Sequence, residues 1–163
     1  MHRNVERVTA ALLAAGADPS RVERLVVLPD AATTAAAAAA ALGVEVGQIA
    51  NSLVFEIVRE GAVGEPLLVM TSGAHRVDTG KVAALIGAAA VRRAKPDFVK
   101  AATGQAIGGV APTGHPAPLR TLVDRDLAVF DEVWVAGGLA ETVLPLTYDE
   151  LVAVTGGEIA DVA

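Results

Sequence analysis

The sequence predicts an α/β domain in which helices pack on a mixed β-sheet. Segments with a helical spacing of apolar residues alternate with short runs rich in Val, Ile and Leu. Two of these runs are close enough to form a hairpin, whereas the others are separated by helices. The chain of 163 residues is long enough for one domain with one core. We therefore expect a single domain over residues 1–163, with an N-terminal helix within residues 1–20.

The first predicted element is an amphipathic helix. Val5, Val8 and Leu12 recur at helical spacing, and Gly16 follows the last apolar residue. This pattern predicts a helix over residues 4–15 that ends at the glycine.

A short strand and an alanine-rich helix are expected next. The apolar run at 24–29 ends in a proline, which is typical of a strand end. The alanine run that follows has the strongest intrinsic helix propensity in the chain. Asp30 is placed to cap this helix and Gly43 to end it.

The middle of the chain predicts the centre of the sheet. Residues 48–58 and 66–72 favour neighbouring antiparallel strands. Asp78 is the expected N-cap of the next helix. Thr147 and Glu150 form a capping box for the last helix. The remaining expected elements are a strand at 89–94, a helix at 96–104, and strands at 118–124 and 132–138.

The composition excludes several classes of function. The absence of cysteine rules out disulfides, thiol nucleophiles and thiolate metal sites. A formal charge of −6 argues against non-specific binding to a long polyanion such as DNA. Without a long uncharged apolar run or a signal peptide, we expect a cytoplasmic protein with no membrane partner. Six basic residues lie near one another in the sequence and form either a local basic patch or an ordinary solvated face: Arg76, Lys81, Arg92, Arg93, Lys95 and Lys100.

Three familiar motifs are rejected by their spacing. The "TGK" at 79–81 lacks the glycine spacing and the Ser/Thr of a phosphate loop, so it predicts a helix start. The histidines His2, His75 and His115 are too far apart for a local metal motif, and we expect no metal site. None of the three serines lies in a Gly-x-Ser-x-Gly elbow.

The stretch "GQAIGGVAPTGHP" at 104–116 is the strongest candidate for a functional loop. Consecutive glycines at 108 and 109 allow close approach to main-chain N–H groups, which can stabilise the oxyanion formed when water attacks an ester. Pro112 would stiffen the loop, and Gly114 gives a permissive turn before His115. A multi-turn connection with His115 merely exposed explains the same residues and remains open.

Several segments, in order along the chain, resemble the YbaK/EbsC family of aminoacyl-tRNA deacylases, which are related to the editing domain of bacterial prolyl-tRNA synthetases. The loop "IGGVAPTGH", preceded by "ATGQA" and followed by "LRTLVD", is similar to the signature loop of that family. The likeness continues in "GVEVGQIANSLVFE", "VDTGKVAALIGAAAVRRA", "VWVAGG" and "LTYDELVAVTGGEIADV", and it covers about residues 20–163.

The resemblance implies a strongly curved mixed sheet surrounded by helices. It also implies an aminoacyl-tRNA deacylase activity. Such enzymes hydrolyse the ester between a wrong amino acid and the terminal adenosine of a released tRNA, without a metal or another cofactor. The implied partners are the acceptor end of the mischarged tRNA and a synthetase, which could supply further tRNA contacts.

One position departs from the family pattern. Many members carry a lysine on the first central strand, where this chain has Asn51, followed by Ser52. Asparagine can still orient water, ribose or the amino group through hydrogen bonds, but it also suits a polar strand end. His115 is either a general base or an exposed loop histidine.

Three functions therefore stay open. The first is a trans-acting deacylase for a small amino acid, with Gly108, Gly109 and Val110 as amide donors and Asn51 as orienting group. Its predicted substrate-binding residues are Ser52, Leu53, Phe55, Val69, Pro112, Gly114, His115 and Gly137. The second is a binding homologue that lost catalysis through Asn51, and the third is a protein that acts only through its surface.

Overall fold

The computed structural model describes residues 2–29 and 34–163. The helices are α1 (Arg3–Ala14), α2 (Pro19–Glu23), α3 (Ala35–Leu42), α4 (Thr79–Ile86), α5 (Pro96–Thr103) and α6 (Tyr148–Thr155). The strands are β1 (Val26–Val27), β2 (Ala50–Val58), β3 (Glu65–Ser72), β4 (Ala90–Arg93), β5 (Arg120–Asp124), β6 (Val133–Ala136), β7 (Thr142–Leu146) and β8 (Glu158–Ala160). Val46–Gln48 and Arg125–Val129 form short 3-10 turns.

Helix ends follow the local signals in the sequence. Gly16, just after α1, has a φ of +96°, and the Asp78 side chain accepts the N–H of Lys81 at the start of α4. The predicted capping box of α6 is confirmed. Asp30 lies outside the described residues. The helix after it begins at Ala35, where the Thr34 side chain is the N-cap.

The strands form two sheets. The larger has the order β4-β2-β3-β5-β8 and the smaller the order β1-β7-β6. The predicted hairpin of β2 and β3 is confirmed, with Ala50 opposite Ser72, while β3–β5 and β5–β8 pair in parallel. A bridge between Ile49 and Trp134 connects the two sheets. The α/β class with a mixed sheet is therefore confirmed, and its strands are divided between two sheets.

Three elements lack a strong local signal in the sequence: α2, β7 and β8. β7 contains Pro145, a residue that argues against a central strand because it cannot donate to the ladder. It nevertheless lies between β1 and β6, because β1 pairs only with Thr142 and Val143 and ends before it reaches the proline.

Buried side chains fill both faces of the larger sheet. α1 and α6 cover one face, around Val54, Leu68 and Val123, and α4 covers the other, around Phe55 and Val69. A third cluster lies between α3 and the smaller sheet. The longest described helix, α1, has 12 residues, and within 2–29 and 34–163 no helix is long and apolar enough to cross a membrane.

Candidate functional site

A cavity of about 320 Å³ opens where the two sheets meet. Its walls come from α3, the first half of β2, the β4–α5 connection, the smaller sheet and the glycine-rich loop. Most of its lining side chains are small or apolar, such as Ala38, Ala136 and Val143. This size is near the lower end of the range for small-molecule sites, about 300–1,000 Å³.

The edge of β2 leaves backbone groups free at the cavity wall. Pairing between β2 and β4 begins at Phe55, opposite Arg93, and the Val54 carbonyl accepts the N–H of Ala94 on that same edge. Because peptide groups alternate between the two edges of a strand, those of Ser52 point to the β4 side as well. Among the described residues no strand pairs with Ser52 there, and Ser52 lines the cavity.

The glycine loop forms a tight turn at the opposite wall. The Gly109 N–H donates to the Ala106 carbonyl at 3.0 Å. Gly108, with a φ of +90°, holds the third position of this turn, which favours glycine. The predicted donor role of Gly109 is therefore wrong, because its amide is used inside the turn and the residue is not part of the cavity lining.

The two flanking residues, Gly108 and Val110, differ from Gly109 in the use of their amides. Both residues line the cavity, and neither N–H has a hydrogen-bond partner within residues 2–29 and 34–163. The Gln105 side chain holds the next part of the loop by accepting the Ala111 N–H at 2.7 Å. Gln105 is almost fully buried. A buried glutamine that supports the loop was not predicted, because its partner is identified only by the folded loop.

Asn51, Ser52 and Leu53 are brought to the cavity as predicted. The Ser52 hydroxyl contacts the Met70 sulfur at 3.2 Å. The Asn51 side chain has no hydrogen-bond partner in the described part of the chain and is half-buried. Its amide is therefore free to bind a ligand in the cavity.

The other predicted substrate-binding residues lie elsewhere. Phe55 and Val69 are buried in the core on the α4 side of the sheet and lie outside the cavity lining. Phe55 shares a face of β2 with Leu53, but pairing with β4 begins at Phe55 and closes this part of the strand edge. The Gly137 N–H donates to the Thr142 carbonyl within the β6–β7 hairpin, outside the cavity lining. The predicted pocket roles of these three residues are wrong.

Pro112, Gly114 and His115 line a second cavity, against α1 and α6. The His115 Nε2 lies 2.8 Å from the Ala111 carbonyl oxygen, so the imidazole donates there. Burial lowers the pKa of His115, partly offset by that hydrogen bond. The side chain is therefore neither an exposed loop residue nor part of the cavity at Gly108.

His75 meets two carboxylates that are distant in sequence. Its Nε2 contacts Asp124 and its Nδ1 lies 3.4 Å from Asp126. These three residues are close enough to hold a metal ion, a grouping that a search for histidine pairs could not find. Asp124 also accepts the N–H groups of Ser72 and Asp126, which makes it a buried structural acceptor. None of the three lines the cavity at Gly108.

Comparison with known proteins assigns this chain to a family. Residues 29–154 match the model of the aminoacyl-tRNA editing domain. The chain belongs to this family. It is 32% identical over 110 residues to the uncharacterized protein YwhH of Bacillus subtilis (strain 168), covering 68% of this chain and 67% of that protein.

Two solved structures are similar over almost the whole editing-domain chain. A crystal structure of a proposed trans-editing enzyme for prolyl-tRNA synthetase is 41% identical, with a TM-score of 0.85 and coverage of 99% of this chain and 97% of that one. The hypothetical protein APE2540 is 30% identical, with a TM-score of 0.80 and coverage of 96% and 98%. The resemblance to YbaK-type editing proteins is thereby confirmed.

Proposed function

We propose that this editing domain acts in trans to hydrolyse the ester between a mischarged small amino acid and the terminal adenosine of a tRNA. The proposal is carried by Gly108 and Val110, which line the same cavity as Asn51 and the open edge of β2, and whose N–H groups have no hydrogen-bond partner among the described residues. A substrate on tRNA would place the activity in the cytoplasm, with the tRNA acceptor end as partner and a synthetase as a source of further contacts.

The chemistry needs few groups because an aminoacyl ester is already activated. Water attacks the carbonyl carbon, and the amides of Gly108 and Val110 bind the developing oxyanion. One such donor contributes about 2.7–4 kcal/mol in known enzymes. The C–O bond to the ribose then breaks, and the proton from water passes to the ribose oxygen. Products are the free amino acid and the tRNA hydroxyl.

The remaining lining sets orientation and size. Asn51 can bind the amino group, the ribose or the attacking water with its amide. Small apolar walls and a volume of about 320 Å³ favour a small amino acid. A hydrophobic wall separates substrates that differ by one methylene by only about 1–3 kcal/mol, so several small amino acids are candidates.

Deacylation of a panel of mischarged tRNAs tests this function. We expect release of a small amino acid from at least one of them, unchanged by a metal chelator. Gly108→Ala, which forces a Cβ into a φ of +90°, should lower kcat/KM about 100-fold by displacing the turn.

Gly61→Ala is the matched control for backbone strain. Gly61 also has a positive φ, +71°, and a Cβ there meets no atom within 4 Å. Both variants should lose about 1–2 kcal/mol of stability, yet only Gly108→Ala should lose activity. Equal activity of the two variants would remove the loop from the mechanism.

A binding homologue without catalysis is the second candidate, favoured by the uncharged Asn51 in the cavity. Retained binding of tRNA with no release from any mischarged tRNA would select this function. The presence of a cavity beside Gly108 and Asn51 supports either candidate over a protein that acts only through its surface.

A further inference from the structure

Arg93 is the one charged side chain that lines the main cavity within the described residues. It ends β4, opposite Phe55, and its guanidinium lies 6.0 Å from the centroid of the Phe55 ring. The residue is exposed at the mouth. In the described part of the chain it has no carboxylate partner, whereas its neighbour Arg92 is paired with Glu56 at 2.8 Å.

Two further cations lie on the segment that leads from Arg93 into α5. Lys95 precedes α5 and Lys100 lies in its last turn, and each directly follows a residue of the cavity lining, Ala94 or Val99. Both lysines are exposed and neither forms an ion pair with another described residue. Asp97, in the first turn of α5, is the acidic residue on this segment. The three cations and Asp97 together give this segment, the cationic rim at residues 93–100, a net positive charge on a protein whose overall charge is −6.

We infer that Arg93 binds the 5′-phosphate of the terminal nucleotide of the substrate, and that Lys95 and Lys100 contact the phosphates that precede it. The inference rests on the proposed function. The inference places the ester at Gly108 and Val110 and the 5′ side of the same ribose toward Arg93, because Arg93 is both exposed and part of the cavity lining. A guanidinium binds a phosphate in bidentate fashion, and Asn51 carries no charge for this purpose.

This placement explains how an acidic protein can select an RNA end. A few cations at one rim bind the end of the strand, while the negative charge elsewhere disfavours binding along a long duplex. Selection of the acceptor end then requires the ester pocket and the cationic rim together.

Two substrates with the same ester test the inference. One is the mischarged tRNA that the protein deacylates fastest, and the other is the 3′-O-aminoacyl adenosine nucleoside, which has no phosphate. Arg93→Gln should lower kcat/KM for the tRNA about tenfold, mainly through KM. The same variant should hydrolyse the nucleoside ester with the kcat/KM of the wild type. Arg93→Lys should recover part of the loss because it keeps the charge.

Arg92→Gln is the matched control, one residue away on the same strand but paired with Glu56. Arg92→Gln should have the wild-type kcat/KM on both substrates. Equal losses of Arg93→Gln on the two substrates, or no loss on either, would overturn the phosphate contact.

Binding of uncharged acceptor-stem RNA separates this inference from the proposed function. If no ester is hydrolysed, the deacylase proposal fails, but Arg93→Gln should still bind this RNA about tenfold more weakly. The salt dependence of its log affinity should also decrease by about 0.7, the value for one lost single-strand phosphate contact. Equal affinity and equal salt dependence of the two proteins would overturn the inference even in an active enzyme.

Discussion

Gly109 lies so close to the β6–β7 loop that a Cβ atom on it would be 2.8 Å from the Ala140 nitrogen. The loop backbone at residues 139 and 140 leaves no space for a side chain. Because Gly109 has no side chain, the glycine-rich loop and the β6–β7 loop can pack closely beside the cavity. The Gly109 amide meanwhile closes the turn with Ala106.

Gly109→Ala should consequently destabilise the fold by about 1–3 kcal/mol, since the two backbones must move apart. Urea denaturation measures this loss. Gly80→Ala is the control, because a Cβ there has an ordinary contact of 3.5 Å and alanine favours helix α4. Equal stabilities of wild type and Gly109→Ala would show that the loops separate without cost.

Asn51→Ala should lower kcat/KM for deacylation about 10- to 100-fold without a large change in stability. The reason is that the Asn51 amide has no hydrogen-bond partner in the described part of the chain and lines the cavity. Amino acid release from the preferred mischarged tRNA is the measurement. Asn4→Ala, on α1 and outside the cavity lining, should retain full activity. Full activity of Asn51→Ala would show that Asn51 is only a polar residue at the end of its strand and takes no part in the reaction.

Asp124→Ala should cost about 2–4 kcal/mol of folding free energy. The Asp124 carboxylate is buried and accepts the N–H groups of Ser72 at 2.9 Å and Asp126 at 3.0 Å. Its removal leaves a buried backbone donor without a partner and deletes a cap. Chemical denaturation should show the loss, whereas the exposed Asp131→Ala should change stability by less than about 0.5 kcal/mol.

The lowered pKa of His115 predicts a pH dependence of stability. The folded state binds this proton less readily than the unfolded chain, whose histidine titrates near 6.5. The contribution of the neutral His115 side chain to the free energy of unfolding is therefore complete above a pH of about 6.5, and it decreases as the pH falls below that value. Unfolding free energies measured from pH 7.5 to 5.5 should fall less steeply for His115→Gln than for the wild type. Parallel curves would contradict the role of burial.

The sequence by itself determined the local elements and the family. Capping residues such as Asp78 and Thr147, and glycines such as Gly16, mark helix ends because they satisfy or release backbone groups within a few residues. The glycine loop and Asn51 were also found from the sequence, since their residue types have direct chemical consequences.

Only the tertiary structure decided which groups meet at the cavity. Strand alternation shows that Leu53 and Phe55 share a face, but pairing with β4 begins at Phe55, so that Leu53 lines the cavity while Phe55 packs in the core. The Gly109 N–H donates to the Ala106 carbonyl within a turn, so it is not available to a ligand. β4 ends with Arg93 at the cavity mouth. Such outcomes depend on contacts between segments far apart in the chain, whereas sequence patterns report on neighbours along it.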